Sequence, residues 1–219
     1  MNPYLFFGNK SQSKPKDGDF VGQSLVTLKQ VHGNTVHIID NPSMTDAQLQ
    51  GDALITCTSN ISVGVFTADC LPVLAFGKTW IGACHAGWRG VAERIIPRFL
   101  DLILKQGERP EDIRVHVGAG IGPCHFEVGR DVCNRLLSAY NSKNTFAPET
   151  VFVSPHPNKE KVFFNLKALA KIQIQEFKIR SQQIQISEEC TFCISEKFHS
   201  FRRDGAVAGR QISLIFKKT

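Results

Sequence analysis

The sequence predicts an α/β (α+β) protein, and three observations carry that prediction. Several short apolar runs are rich in β-branched residues. One longer stretch repeats its apolar residues at helical spacing. Strand-like and helix-like stretches then alternate along the chain. The first twenty or so residues are the exception: Gly8 to Gly22 is rich in Lys, Ser, Gly and Asp and reads as a surface loop.

Taken in order, Ser24 to Gln30 and Val36 to Ile39 read as two strands joined around a tight turn at Gly33-Asn34. Ala53 to Thr58, Ser62 to Thr67, Pro72 to Phe76 and Trp80 to Cys84 follow as near-continuous apolar runs, the pattern of strands buried on both faces. Val91 to Leu104 is the clearest helix. Val91, Ile95, Phe99 and Ile103 form one stripe, and Pro97 predicts a kink or break. Ile113 to Val117 reads as a strand and Val128 to Ala139 as a helix. Val162 to Phe164 is a short strand, after which Asn165 caps a helix running to about Lys178. Gln211 to Phe216 is the last strand.

The chain has 219 residues, 42% of them hydrophobic, enough for a substantial core, and 1–219 reads as one domain. No apolar run approaches the roughly 18 residues that span a membrane. Met1 to Lys10 lacks the basic and apolar regions of a signal peptide, so a cytoplasmic protein is expected. Seven cysteines, an odd number without framework spacing, suit metal ligands, nucleophiles or buried thiols in a reducing compartment. The net charge of +6 suits an anionic ligand, but the Lys and Arg are scattered, and nucleic-acid binding is not expected.

Three sharply punctuated junctions carry metal-ligand side chains beside apolar runs. They are Gln30-Val31-His32-Gly33, Thr67-Ala68-Asp69-Cys70 and Cys84-His85-Ala86-Gly87-Trp88-Arg89-Gly90. Two imidazoles and one thiolate would make a three-ligand zinc site with its fourth position open, the pattern of catalytic zinc. Spacing alone leaves other readings open. Cys70 also reads as a small buried hydrophobe and His32 as a polar turn residue. His85, just before a glycine-rich stretch, is the least neutral of the three.

Those three segments occur in order with Gly51-Asp52-Ala53-Leu54-Ile55-Thr56, Gly120-Ile121-Gly122-Pro123-Cys124 and Arg202-Arg203-Asp204-Gly205. Together they resemble the family of laccase-domain, or multicopper polyphenol oxidase-like, proteins now regarded as purine nucleoside phosphorylases. The likeness runs from about Leu25 to Phe216. It implies a four-layer α/β/β/α fold with two related halves and a zinc held by His32, Cys70 and His85. It also implies phosphorolysis of adenosine, inosine and methylthioadenosine, with deamination of adenosine, so purine nucleosides and phosphate are the expected partners. Two features depart from the family pattern. No Asn-Arg pair follows Gly18-Asp19 upstream of His32, and Phe164-Asn165-Leu166 stands where Phe-Asp-Leu is usual.

Arg89 is the expected anion-binding residue of the catalytic set, because a guanidinium meets phosphate bidentately; a loop-holding salt bridge is the competing reading. Asp69 reads either as a carboxylate orienting a zinc histidine or as a turn or helix cap. A true multicopper oxidase is not expected from seven His, two Met and no His-x-His pair, although copper can replace zinc at such a site. The remaining alternatives are a zinc- or cysteine-dependent amidase editing peptidoglycan precursors, in which Cys70 and His85 pair, and a non-catalytic metal-binding protein. Cys190-x-x-Cys193, with His199 nearby, offers a redox pair or a second zinc site, but only three ligands are visible and no second C-x-x-C exists, so it reads as two thiols near a strand or turn, one of them buried. Cys124 reads as packing or pocket lining, Cys84 as core, and His125 has no evident partner.

Overall fold

A computed structural model describes residues 3–15, 22–44, 49–140 and 152–218. Gly18-Asp19 lies outside the described residues. The strands are β1 (Pro3–Phe7), β2 (Ser24–Val26), β3 (Val36–Ile38), β4 (Ala53–Thr56), β5 (Ile61–Thr67), β6 (Leu71–Phe76) and β7 (Ile81–Ala86). Helices α1 (Trp88–Ala92) and α2 (Ile95–Lys105) follow, then β8 (Arg114–Val117), β9 (Glu127–Gly129) and α3 (Arg130–Ser138). The rest is β10 (Val153–Pro155), β11 (Lys161–Phe164), α4 (Leu166–Gln175), β12 (Ile184–Ile186), α5 (Phe201–Asp204) and β13 (Gln211–Lys217).

The mixed α+β architecture is as expected, and its layers follow from side-chain parity. The six-stranded sheet runs β12-β8-β6-β7-β4-β3 and the four-stranded sheet β1-β13-β5-β2, with a small β10-β11-β9 sheet beside them. Along β7, Gly82, Cys84 and Ala86 face one way and Ile81, Ala83 and His85 the other, because strand side chains alternate. Cys84 and Ala86 join Phe99, Leu100 and Ile103 of α2 in the largest core cluster. Ile81 and Ala83 instead pack with Val26, Val63, Val65 and Ile215 of the four-stranded sheet. The central strands are therefore covered on both faces, by helices on one and a second sheet on the other, which is why their sequence is apolar without alternation. A smaller cluster of Phe6, Ile212, Leu214 and Phe216 lies on the other face of the four-stranded sheet.

Three local expectations are corrected. Ser24 to Gln30 and Val36 to Ile39 do not form a hairpin. β2 pairs with β5 and β3 with β4, in different sheets, so the segment between them crosses from one sheet to the other. Val91 to Leu104 is not one helix: the break falls at Glu93-Arg94, where Arg94 takes a left-handed conformation with φ of 64°. Its guanidinium pairs with Glu176 and donates to the Ala139 carbonyl, which holds the bend, while Pro97 sits harmlessly in the first turn of α2. Val128 lies in a short strand, so the following helix begins at Arg130. Asn165 caps α4 as expected, accepting from the Ala168 N–H at 3.0 Å.

Contact between β7 and α2 is close at Gly82. A Cβ there would lie 2.6 Å from Phe99 Cε2 and 2.8 Å from Ile55 Cγ2. We expect Gly82→Ala to overpack this layer and to cost about 1–3 kcal/mol of stability. The check is the midpoint of urea unfolding; an unchanged midpoint would mean that the layer yields.

Candidate active site

The three predicted ligands come together where the two sheets meet. His32 lies on the segment crossing from β2 to β3, and Cys70 on the turn crossing from β5 to β6. His85 is the penultimate residue of β7. The candidate donor atoms of His32, Cys70 and His85 all lie within 4.8 Å of one another. The two imidazoles meet edge to face, with centroids 4.8 Å apart.

Asp52 builds this arrangement. It precedes β4, and the β4–β7 register that sets Ala53 opposite Cys84 brings Asp52 beside His85. Its carboxylate accepts from His85 Nδ1 at 2.8 Å, which turns Nε2 of that ring toward Cys70. It also accepts from the backbone N–H groups of Val31 at 3.3 Å, His32 at 2.9 Å and Gly33 at 2.7 Å. These bonds hold His32 in a left-handed conformation, φ 60°, which costs a non-glycine residue of order 1 kcal/mol or more. Asp69, the residue expected to orient a histidine, does something else. It accepts from Thr191 Oγ1 and from the Arg202 N–H, both at 2.6 Å, so it ties the first turn of α5 to the Cys70 loop. The sequence signal for Asp52 was its place in the Gly51-Asp52-Ala53 segment, but nothing in a linear reading paired it with His85.

Electrostatics sets the trio apart from ordinary side chains. Burial opposes the Cys70 thiolate, but the His85 and His32 imidazoles outweigh it and bring the pKa down from 9.0 to about 6. Burial likewise opposes charging His85, yet the Cys70 thiolate and the Asp52 hydrogen bond raise its pKa from 6.5 to about 9. Burial opposes ionisation of Asp52 too, and the His85 ring with the Gly33 and His32 N–H groups still holds it below the usual carboxylate range.

The donors fit a metal ion. Metal–nitrogen and metal–sulfur bonds of about 2.0–2.3 Å place tetrahedral donors roughly 3.3–3.8 Å apart, close to the grouping seen here. Gly87 leaves the necessary room: a Cβ there would lie 3.0 Å from Cys70 Sγ and 3.2 Å from His32 Cδ2. The trio opens into a cavity of about 740 Å³. Phe66, Trp88 and Phe126 supply aromatic walls, and Arg89, Arg202 and Arg210 supply positive charge. Arg89 is exposed on α1 and lies 4.6 Å over the Trp88 ring. No salt bridge to it occurs among the described residues, so the loop-holding reading of Arg89 is not what is seen.

A second group was missed. Cys190 and Cys193 gather with Cys124 and His125, not with His199, and their candidate donor atoms also lie within 4.8 Å of one another. The C-x-x-C spacing was visible, but the other two residues are far away in sequence.

Stacked sheets with a two-histidine, one-cysteine donor set at their shared edge define an α+β protein with a candidate metal centre at the mouth of a pocket. The family model described as multi-copper polyphenol oxidoreductase laccase matches residues 16–218, and the chain belongs to that family. It is 33% identical over 204 residues to a protein of Aquifex aeolicus named purine nucleoside phosphorylase, covering 93% of this chain and 87% of that one. It is 30% identical over 203 residues to a protein of an unknown prokaryotic organism named adenosine deaminase RL5, covering 89% and 75%. Among solved structures, YlmD from Geobacillus stearothermophilus superposes with a TM-score of 0.81 at 27% identity, covering 91% of this chain and 76% of that one. No described helix is long and apolar enough to cross a membrane.

Two outcomes follow from the Asp52 contacts. Asp52→Asn is expected to weaken metal binding about 10–100-fold, measured by competition with a chelating dye. In metal-free protein, His85's folded pKa lies above its ordinary 6.5, so its contribution to stability is complete below about pH 6.5 and lost as pH rises through about 9. Cys70's lies below its ordinary 9.0, so its contribution is complete above about pH 9 and lost as pH falls through about 6. Alkylation of Cys70 in metal-free protein should therefore stay fast down to about pH 6 and should shift to higher pH in Asp52→Asn. A titration centred at the ordinary thiol value in both proteins would contradict the assigned contacts.

Proposed function

We propose that the protein is a zinc-dependent purine nucleoside phosphorylase acting on adenosine, inosine and methylthioadenosine, and that the same pocket deaminates adenosine. The observation that carries this reading is the position of His32, Cys70 and His85 in a cavity of about 740 Å³ whose walls combine arginines with aromatic rings. A purine needs an apolar slot with flat faces, and phosphate needs a cation with donors to spare. The names of the relatives, purine nucleoside phosphorylase and adenosine deaminase, support purine nucleosides as the substrate class.

A zinc ion held by His32, Cys70 and His85 supplies Lewis acidity where substrate enters, and copper fits the same donors by substitution. The chain's own groups do the rest. Asp52 keeps His85 oriented through Nδ1. Trp88 and Phe66 present ring surface to the base. Among the pocket arginines, Arg202 donates to the His125 and Glu127 carbonyls and Arg210 to those of Ala208 and Gly209. Arg89, resting on Trp88, keeps its donors for an anion, so phosphate binds there. The two reactions differ at the reacting carbon: in phosphorolysis phosphate adds to C1′ of the ribose and the base leaves, and in deamination water adds at C6 of the purine and ammonia leaves. The family's copper-oxidase description finds no support in the donor sets, which lack the paired histidines of a blue-plus-trinuclear centre.

One observation favours a second reading. Cys70 lies beside both imidazoles, which bring its pKa down to about 6, and this suits a cysteine-dependent amidase, with peptidoglycan precursors as the substrate class. Chelation separates the two: it abolishes a metal reaction and leaves or raises a thiol reaction.

The decisive measurement incubates metal-analysed protein with adenosine, with and without phosphate, and identifies the products. Adenine with ribose 1-phosphate is expected when phosphate is present, and inosine in its absence. Arg89→Ala is expected to raise KM for phosphate about 10–100-fold, the loss of one charge-assisted contact, and to impair phosphorolysis more than deamination. No turnover of any of the three nucleosides, with wild type and His85→Ala alike, would overturn the reading.

A further inference from the structure

We propose that Cys124, His125, Cys190 and Cys193 hold a second metal ion, a closed four-ligand site of the zinc class that is separate from the site in the pocket. The donor set is three thiols and one imidazole, and three sulfurs with one nitrogen is a standard complement for structural zinc. Its geometry is already close to a coordination shell. Cys124 Sγ lies 3.5 Å from Cys193 Sγ, and Cys193 Sγ lies 3.2 Å from His125 Nδ1. All four candidate donor atoms fall within 4.8 Å of one another. The edges of a tetrahedron built from bonds of about 2.0–2.3 Å are roughly 3.3–3.8 Å, so small adjustments complete the shell.

The backbone is arranged for this meeting. The turn from Gly122 to Phe126 closes on itself, with the His125 and Phe126 N–H groups both donating to the Gly122 carbonyl. That turn brings two consecutive side chains to one point. The Cys190–Cys193 turn lies beside it, joined by a bridge between Gly120 and Cys190 and by the Thr191 N–H to the Gly120 carbonyl at 3.2 Å. Gly122 keeps the centre clear: a Cβ there would lie 3.3 Å from Cys124 Sγ and 3.4 Å from Cys190 Sγ. Gly122 N–H also donates to Cys190 Sγ at 3.1 Å, the contact expected of a ligating thiolate. His125 is stacked on Phe192 at 4.0 Å, which fixes the plane of its ring.

Charge is also accounted for. Three thiolates around a divalent ion leave one net negative charge. The buried Lys167 ammonium stands beside the same turn, donating to the carbonyls of Ser187 at 2.6 Å and Glu189 at 2.8 Å.

The site staples the wall of the pocket. The Cys190–Cys193 turn carries Thr191, which donates to Asp69, the neighbour of Cys70. Arg203 donates to the Thr191 and Phe192 carbonyls, and Arg202 to that of His125. Metal at this position therefore holds together the Cys70 loop, the Ile121–Phe126 wall and the start of α5. Four protein ligands leave no position for substrate, so its role is structural.

The test uses the full chain, produced without a histidine tag and handled without chelator. Elemental analysis is expected to find about two metal ions per chain, falling to about one in Cys193→Ser and to about one, at the other site, in His85→Ala. Replacement of the metal by cobalt should give intense thiolate-to-cobalt absorption that Cys193→Ser largely removes and His85→Ala largely keeps. A readout on wild type alone guards against a variant that fails to fold. Cys124, Cys190 and Cys193 should resist alkylation in the isolated protein and become reactive in step with metal released by chelator, as followed by mass spectrometry. About one metal ion in wild type, unchanged in Cys193→Ser, would overturn the proposal. So would Cys124, Cys190 and Cys193 being alkylated at once in the isolated protein, or being joined by a disulfide when it is isolated under reducing conditions.

Discussion

The carboxylate of Asp52 accepts hydrogen bonds from three consecutive backbone N–H groups and from one imidazole, and the pocket's two candidate histidine donors are placed through it. The group is completely buried. Burying a carboxylate is costly unless its lone pairs are satisfied, and here four donors satisfy them. In return it fixes the His32 backbone and the His85 ring at once. A strained, left-handed His32 is tolerated because the loop around it is over-determined by these bonds.

The sheets supply what Asp52 cannot. β5 and β6 are consecutive in sequence but belong to different sheets, and so are β2 and β3. Each crossing leaves a short irregular segment at the same edge of the sandwich, one carrying Cys70 and the other His32. β7 delivers His85 to that edge from the middle of the six-stranded sheet. Three candidate donors far apart in sequence thus meet because two sheets are stacked face to face. Small residues make the meeting possible, Gly87 over the donor atoms and Gly82 under α2.

The pocket and the Cys124–Cys193 cluster share a frame. Asp69 and Arg203 link the Cys190–Cys193 turn to the loop bearing Cys70. The Cys124–Cys193 cluster is made from turns, and the pocket trio joins two such segments to the end of β7. Both depend on a glycine facing a thiol, so sulfur donors approach backbone more closely than any side chain would allow.

Much was legible without coordinates. Apolar runs without alternation marked β4 to β7 as doubly covered strands, and parity along β7 separated core Cys84 from His85. Asn165 announced a cap, whereas Pro97 pointed to a break that in fact falls at Glu93-Arg94. His32, Cys70, His85 and Arg89 were named from flanking segments and do gather around one cavity. The segment between β2 and β3 was misread as a hairpin turn, since a short connection carries no mark of which sheet each strand will join. Asp52, Cys124 and His125 were passed over for the same reason: their partners are brought near by packing, not by spacing. The sequence alone determined the elements and most of their burial, because these depend on residue type and local period, while the resemblance of the flanking segments, not spacing, singled out His32, Cys70 and His85. Only the tertiary structure decided which carboxylate orients His85 and which thiols meet, because those contacts arise where separate sheets and turns converge.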